Sequence, residues 1–416
     1  MPKALHTVGG APMLDMALSD VKVLDFTHAI AGPYCTKLLA DFGADVIKVE
    51  RPDGGDPARR WGPFPNDDPH PEKSGLFLLL NTNKRSITLN LKTEAGKKIA
   101  RQLVEWADII VESFRPGTMA KFGLDYPTLH AHKPTLVYTS ISNFGQTGPY
   151  RDYLASEIII YGMGGELYST GLDFREPVKM YGTICQFLAG NIAALATLGA
   201  VFAARHQSLG QHVDISLMET QLGSQDRRMP ALVAYQYTGE VSGRIPLGQA
   251  GYPIGIYPCK DGYFEIMSGL GRFRQAVEML GNPDWLRDPK WYAPTAQQDP
   301  ALKEEFESHF FPWLMEHTMA ELWELAQRHR VLSAPVNTVA DVVNDPVFNQ
   351  RGAFVEVEHP VAGKVKMPAR PFIMSETPWQ LRRPAPLLGQ HNEEVLCGML
   401  GYSKEDLVKL REQNVI

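Results

Sequence analysis

The chain opens on a run of alternating element signatures. Val21–Phe26 (VKVLDF) is apolar and β-prone, the pattern of a strand buried on both faces. The turn THAIAGP follows, then a helix from Pro33 to about Asp41, with Gly32 as its cap and Pro33 suited to the first helical position. Gly43 stops that helix and Asp45–Glu50 (DVIKVE) reads as the next strand, completing a βαβ unit. The alternation continues through a strand at Ser86–Leu91, a helix at Thr93–Trp106, and strands at Ile109–Glu112, Thr135–Ser140 and His212–Leu217. Repeated βα units predict an α/β fold, a Rossmann-like large domain with a mostly parallel sheet.

A different texture begins past residue 225. A short strand pair flanks the turn Lys260–Asp261–Gly262, and residues 270–330 are helical and rich in tryptophan. That stretch predicts a smaller α+β domain. Strand signals return at Ala353–Val357 and a charged helix closes the chain at Lys404–Gln413. The predicted organisation is an arm at 1–20, the large domain at 21–225, the small domain with its linkers at 226–340, and a return to the large domain at 341–416.

Met180–Ala204 carries no charge, long enough to span a bilayer. Gly190, Ala193, Ala194 and Gly199 instead predict a buried, tightly packed helix that lets another backbone or a ligand come close. Composition changes little else. The 416 residues carry a net charge of −6 with 21% charged side chains, which points away from disorder and from nucleic-acid binding. The four cysteines show no CxxC spacing, as expected of a reduced, cytoplasmic protein, and no signal peptide is read at the start. No membrane and no metal are expected as partners; the His130/His132 pair reads as a solvated helix face.

An anionic ligand must be drawn by local cations, because the whole-chain field is mildly repulsive to it. Arg51 follows the second strand, Lys84–Arg85 precede the third, and Arg115 and Lys121 flank SFRPG. Such groups at loops after strands suit phosphates. The first βα turn lacks GxGxxG, and Walker, HExxH and GxSxG motifs are absent, which argues against nicotinamide, P-loop, zinc-protease and serine-hydrolase chemistry.

Taken in order, VKVLDFTHAIAGPYCTKLLADFGADVIKVERPDGGDPAR, LNTNKRSITLNL, VESFRPGTMAKFG, SNFGQTGPY, the glycine loop at Gly248, Gln249 and Gly251, and PAPLLGQHNEEVL resemble the family III CoA-transferases. The resemblance runs from about Val21 to Ile416. It implies a large domain built from both chain ends, interlocked ring-shaped dimers, and a coenzyme A thioester as substrate with no tightly bound cofactor. Residue by residue, the coenzyme A contacts fall on His28, Ile30, Ala31, Arg51, Leu89, Asn90, Lys92, Ser113, Phe114, Arg115, Lys121, Ser156 and Glu157. Lys121 stands where formyl-CoA transferase has arginine, so a bidentate phosphate contact is weakened there.

Family transferases work through an aspartate four residues before a glycine. Its carboxylate takes the acyl group as a mixed anhydride, then carries CoA as an aspartyl thioester. With Gly190 as anchor, that place falls on Gln186, and no acid stands between Glu176 and Asp214. A neutral amide offers no anionic oxygen. The resemblance extends to a two-subunit family member of anaerobic toluene degradation, which moves CoA from succinyl-CoA to benzylsuccinate. It implies a hetero-oligomer in which a paralogous subunit supplies the nucleophile. Two alternatives stay open: a homodimeric transferase or isomerase using Glu157, and an inactive protein that binds CoA thioesters.

Overall fold

A computed structural model describes residues 7–8, 11–12, 16–223, 228–241, 243–244, 251–269 and 271–416. The chain divides into two units, one of residues 1–167, 179–241 and 352–416, the other of residues 168–178 and 242–351. The predicted boundaries at 225 and 340 therefore move to 241 and 351. A helix at Arg228–Thr238 stays with the large unit, and the short stretch 168–178 joins the small one.

The large unit is organised by six parallel strands: β1 (Lys22–Asp25), β2 (Asp45–Glu50), β3 (Lys84–Thr88), β4 (Ile109–Glu112), β5 (Val137–Ser142) and β6 (His212–Ser216). Their order across the sheet is 3-2-1-4-5-6. The order reverses between β1 and β4, so the loops leaving these two strands diverge and open a crevice. Helices α1 (Ala31–Asp41), α2 (Glu94–Trp106), α3 (Glu157–Met163) and α4 (Ile184–Gln207) belong to the same unit. α2 is strongly amphipathic and buries Ile99, Ala100, Leu103 and Val104; Thr93 caps it by accepting the Gly96 N–H. The C-terminal segment returns here, as the Asn90 N–H donates to the Val415 carbonyl at 2.7 Å.

The start of α1 differs from the expected glycine cap. The helix begins at Ala31 with Ile30 as its N-cap residue. Gly32 lies inside the first turn, where only glycine fits, since a Cβ there would stand 2.3 Å from the Thr27 Cβ. The predicted close approach at Gly190 is present: an added Cβ would meet the Ala31 carbonyl oxygen at 2.7 Å, so α4 rests directly on the backbone of α1.

α4 departs from the expected buried helix in one respect. It buries Cys185, Ala189, Gly190, Ala193 and Ala194, but leaves Leu195 73% and Phe202 64% exposed. The helix is long and apolar enough to cross a membrane by length and composition; in this structure one side of it packs against the sheet and α1.

The small unit holds a three-stranded antiparallel sheet of β7 (Ile254–Cys259), β8 (Gly262–Met267) and β9 (Leu332–Pro335), in the order β9-β8-β7. Its core is aromatic, with Tyr252, Phe264, Trp291, Phe306 and Phe310 all nearly fully buried. β10 (Phe354–His359) and β11 (Gly363–Pro368) form an antiparallel pair in the large unit.

Candidate active site

The two loops at the strand-order reversal are tied together. The His28 N–H, after β1, donates to Ser113 Oγ, after β4, at 3.1 Å. The His28 ring meets Phe114 edge-on at 5.1 Å. Burial holds the His28 imidazole below its usual pKa, opposed by Asp56 and Asp25 and aided by Lys48 and Arg51. Its surroundings favour hydrogen bonding over fixed charge.

Two cavities meet at Phe114. One, of about 480 Å³, is lined by His28, Ala31, Ser113, Phe114, Arg115, Lys121, Leu154 and Gln186, among others. The second, of about 580 Å³, is lined by Arg51, Leu89, Asn90, Lys92 and again Phe114. Arg51, Lys92, Arg115 and Lys121 are all exposed side chains at the cavity walls, free to meet phosphates as charge-assisted partners. The two cavities share Phe114 and carry cations on their walls, and the first reaches α4 at Gln186.

The N-terminus of α4 is held in an unusual way. Thr183, the N-cap residue of α4, makes no side-chain cap. Glu157, from the first turn of α3, takes over: its Oε1 accepts the Cys185 N–H at 2.8 Å and lies 3.9 Å from Lys179 Nζ. A carboxylate at a helix N-terminus is favoured both by the free N–H groups and by the helix dipole. Glu157 Oε2 is buried with no hydrogen-bond partner. Burial, followed by the Glu157 charge, pushes the Cys185 thiol up to about 12, so Cys185 supplies no thiolate. Gln186 is the next residue and lines the cavity.

Most of the predicted contacts thus converge on one unit. His28, Ala31, Ser113, Phe114, Arg115 and Lys121 share a cavity with Gln186, while Arg51, Leu89, Asn90 and Lys92 line its neighbour. Ile30, Ser156 and Glu157 are outside both linings: Ile30 is buried as the N-cap residue of α1, Ser156 is the N-cap residue of α3, and Glu157 is engaged with α4. Gly251 is buried in the small unit, where an added Cβ would stand 2.9 Å from Gln297 Oε1. Gly248 and Gln249 lie outside the described residues.

The reading of Lys84 and Arg85 as phosphate ligands is corrected. They open β3, at the end of the strand away from the crevice. Lys84 is fully buried, donating to Asp25, Pro33 O and Asn81. Arg85 is paired with Asp45 and Glu394 at 2.7 and 2.9 Å. Conversely Asn143, Arg151 and Asp152 line the first cavity and Asn414 and Ile416 the second, without having been expected. The motif SNFGQTGPY, which holds Asn143 and stops just before Arg151, was the available signal. Nothing local marked residues 414–416.

A six-stranded parallel sheet in the order 3-2-1-4-5-6, with two neighbouring cavities that carry cations on their walls, defines the class as a Rossmann-type α/β fold. The chain belongs to the CoA-transferase family III, whose family model matches residues 18–392. It is 34% identical over 404 residues to the succinyl-CoA–D-citramalate CoA-transferase of Chloroflexus aurantiacus, covering 96% of this chain and 98% of that one. It is 34% identical over 389 residues to the succinate–glutarate CoA-transferase of Agrobacterium fabrum, covering 91% and 95%. A solved CaiB/BaiF family protein of Brucella suis superposes with a TM-score of 0.82 at 31% identity, over 92% of this chain and 99% of that one. Members of this family take CoA thioesters as substrates and carry no tightly bound cofactor.

Proposed function

We propose that this chain is the non-nucleophilic subunit of a two-subunit CoA-transferase, paired with a paralogue that supplies the reacting aspartate. CoA passes from succinyl-CoA to an aromatic or substituted dicarboxylic acid such as benzylsuccinate. The observation that carries this reading is Gln186, an uncharged amide in the cavity wall where the family resemblance puts the nucleophile. In the full reaction a carboxylate attacks the thioester carbon and expels the CoA thiolate, giving a mixed anhydride. The thiolate then attacks the enzyme's acyl carbon, releasing the first acid; the acceptor acid and the thiolate repeat the exchange in reverse order. An amide nitrogen or oxygen cannot open this sequence, but it can hydrogen-bond a thioester or carboxylate.

Asp152 is the carboxylate among the described residues lining the first cavity, the one that holds Gln186. Its side chain is 75% exposed and sits 3.8 Å from Arg151, a hydrated rim charge and a poor nucleophile. The alternative nucleophile, Glu157, has one oxygen committed to the α4 backbone and the other buried away from the cavity lining. The donor and acceptor classes are supported by the relatives named for succinyl-CoA with D-citramalate and for succinate with glutarate. Assembly with a second, interlocked subunit is supported by apolar side chains that a lone chain leaves open, Ile158, Leu195 and Phe202 each more than half exposed.

The test is purification of the chain alone and together with a neighbouring paralogue, with benzylsuccinyl-CoA formation from succinyl-CoA measured for each. Turnover in the mixture alone supports the proposal. Turnover by the single chain overturns it in favour of a homodimer with its own carboxylate. Coenzyme A binding without turnover in either sample overturns it in favour of a binding protein.

A further inference from the structure

The loop that floors the first cavity is held from beneath by charge. Ala29 adopts a left-handed backbone at φ 68°, a conformation that costs a residue with a Cβ. Its N–H donates to Asp56 Oδ1 at 3.0 Å. Asp56 Oδ2 lies 2.9 Å from Lys48 Nζ, an ion pair with side chains 1% and 0% exposed. Lys48 in turn donates to the Thr27 carbonyl at 2.7 Å. The pair therefore grips the loop at two backbone points, residues 27 and 29, on either side of His28. Asp56 comes from GGDPAR, a segment that folds back after β2, and it also caps the short helix at Pro57–Arg60 by accepting the Ala58 N–H at 2.9 Å. Nothing in this pair reaches the cavity itself: neither side chain is among the residues lining it.

A buried ion pair is a weak source of stability, since desolvation of both partners offsets most of their attraction. The geometry points to a different role. We infer that Lys48 and Asp56 are positioning residues, which fix Ala29 in its left-handed conformation and so preset His28 and the start of α1 for the coenzyme A thioester. This rests on the reading of the cavity as a coenzyme A site. Without the pair, Ala29 relaxes toward ordinary backbone angles, and ligand binding must restore the loop at the expense of affinity.

The experiment measures coenzyme A affinity by calorimetry beside thermal unfolding. Lys48→Met/Asp56→Leu removes both charges together but leaves the Thr27 carbonyl and the Ala29 and Ala58 N–H groups without their partners, so the melting temperature should fall modestly while the fold is kept. Coenzyme A affinity should nevertheless fall about tenfold. Adding Ala29→Gly, which makes the left-handed backbone inexpensive, should recover about threefold of that loss. Unchanged affinity in the double variant overturns the inference, as does a loss that Ala29→Gly leaves untouched. Should the double variant fail to fold, Asp56→Asn keeps an oxygen for the Ala29 and Ala58 N–H groups and should weaken binding about threefold, with unchanged affinity again overturning the inference. If the unmutated chain fails to bind coenzyme A, the functional reading falls first and takes this inference with it.

Discussion

The two walls of the cavity are built on opposite plans. The sheet side is over-determined: its loops are bonded to each other through His28 and Ser113, and two ion pairs, Lys48–Asp56 and Lys84–Asp25, are buried beneath them. Burial works against the Asp56 charge, but Lys48 and the N–H groups of Ala29 and Ala58 outweigh it and hold its carboxyl below the usual range. The α4 side is under-determined: its helix has no side-chain cap from Thr183, carries exposed Leu195 and Phe202, and begins at the cavity with an amide. A chain that only binds needs the first wall alone. A chain that reacts needs the second completed, either by a carboxylate or by a partner, and the contrast is what the proposed subunit role explains.

The sharpest way to break this comparison is to complete the second wall artificially. Gln186→Asp places a carboxylate in the cavity wall. With an acyl-CoA present, it should form an adduct that hydroxylamine or borohydride traps, raising adduct formation on the order of 10³-fold or more. A trapped adduct on the unmutated chain would show that another carboxylate of this polypeptide already reacts. The same variant in the mixed oligomer should leave turnover at the paralogue's site largely unchanged.

A second, smaller effect probes the sheet wall through Glu112, at the end of β4. Its carboxylate accepts the Phe114 N–H at 2.8 Å. Burial pushes its pKa up to about 7, against the opposing pull of Ser140 and the Phe114 N–H. Between the ordinary glutamate value of 4.5 and about 7, the folded chain keeps a proton that the unfolded chain has released. Stability therefore falls as pH rises through that window and is lowest above it, by up to about 3 kcal/mol from this group. Glu112→Gln, whose amide oxygen can still accept the Phe114 N–H, should flatten that fall. Urea unfolding of both proteins between pH 5 and 8 measures it. Parallel curves would mean that the sheet wall is not strained by this carboxyl.

The two walls were unequally legible in the sequence. β2 and β4 were read at their observed bounds because each sets β-branched residues, Val46, Ile47 and Val49 or Ile109, Ile110 and Val111, just after the end of a helix, a local signal that needs no distant partner to be recognised. The ordered motifs then located Arg51, Ser113, Arg115 and Gln186 around one crevice. Lys84 and Arg85 were misread because a cation's exposure depends on partners far along the chain: Arg85 pairs with residues 40 and 309 positions away. The open side of α4 was hidden for a related reason. A helix apolar on every side has no stripe to show which face turns inward. Glu157 was invisible as a cap because its partner is a backbone N–H, which every residue but proline carries.

The smallest predicted effect decides what Glu157 is for. If it is a cap supplied from α3, Glu157→Gln keeps an oxygen for the Cys185 N–H and loses only the charge at the helix N-terminus and the contact with Lys179, about 0.5 kcal/mol. Glu157→Ala loses the bond as well and should cost about 1 kcal/mol of unfolding free energy. Coenzyme A affinity should follow the same order, Gln milder than Ala, because the loss acts through the placement of Gln186. A reactive carboxylate gives a different pattern: acyl-CoA adduct formation is then lost equally with glutamine and alanine, since neither carries an anionic oxygen, while coenzyme A affinity is little changed. Unfolding curves and coenzyme A titrations on the two variants separate these outcomes. In the Gln186→Asp background the comparison sharpens further, because a capping Glu157 also sets how far the new carboxylate reaches into the cavity. There Glu157→Ala should slow adduct formation more than Glu157→Gln does.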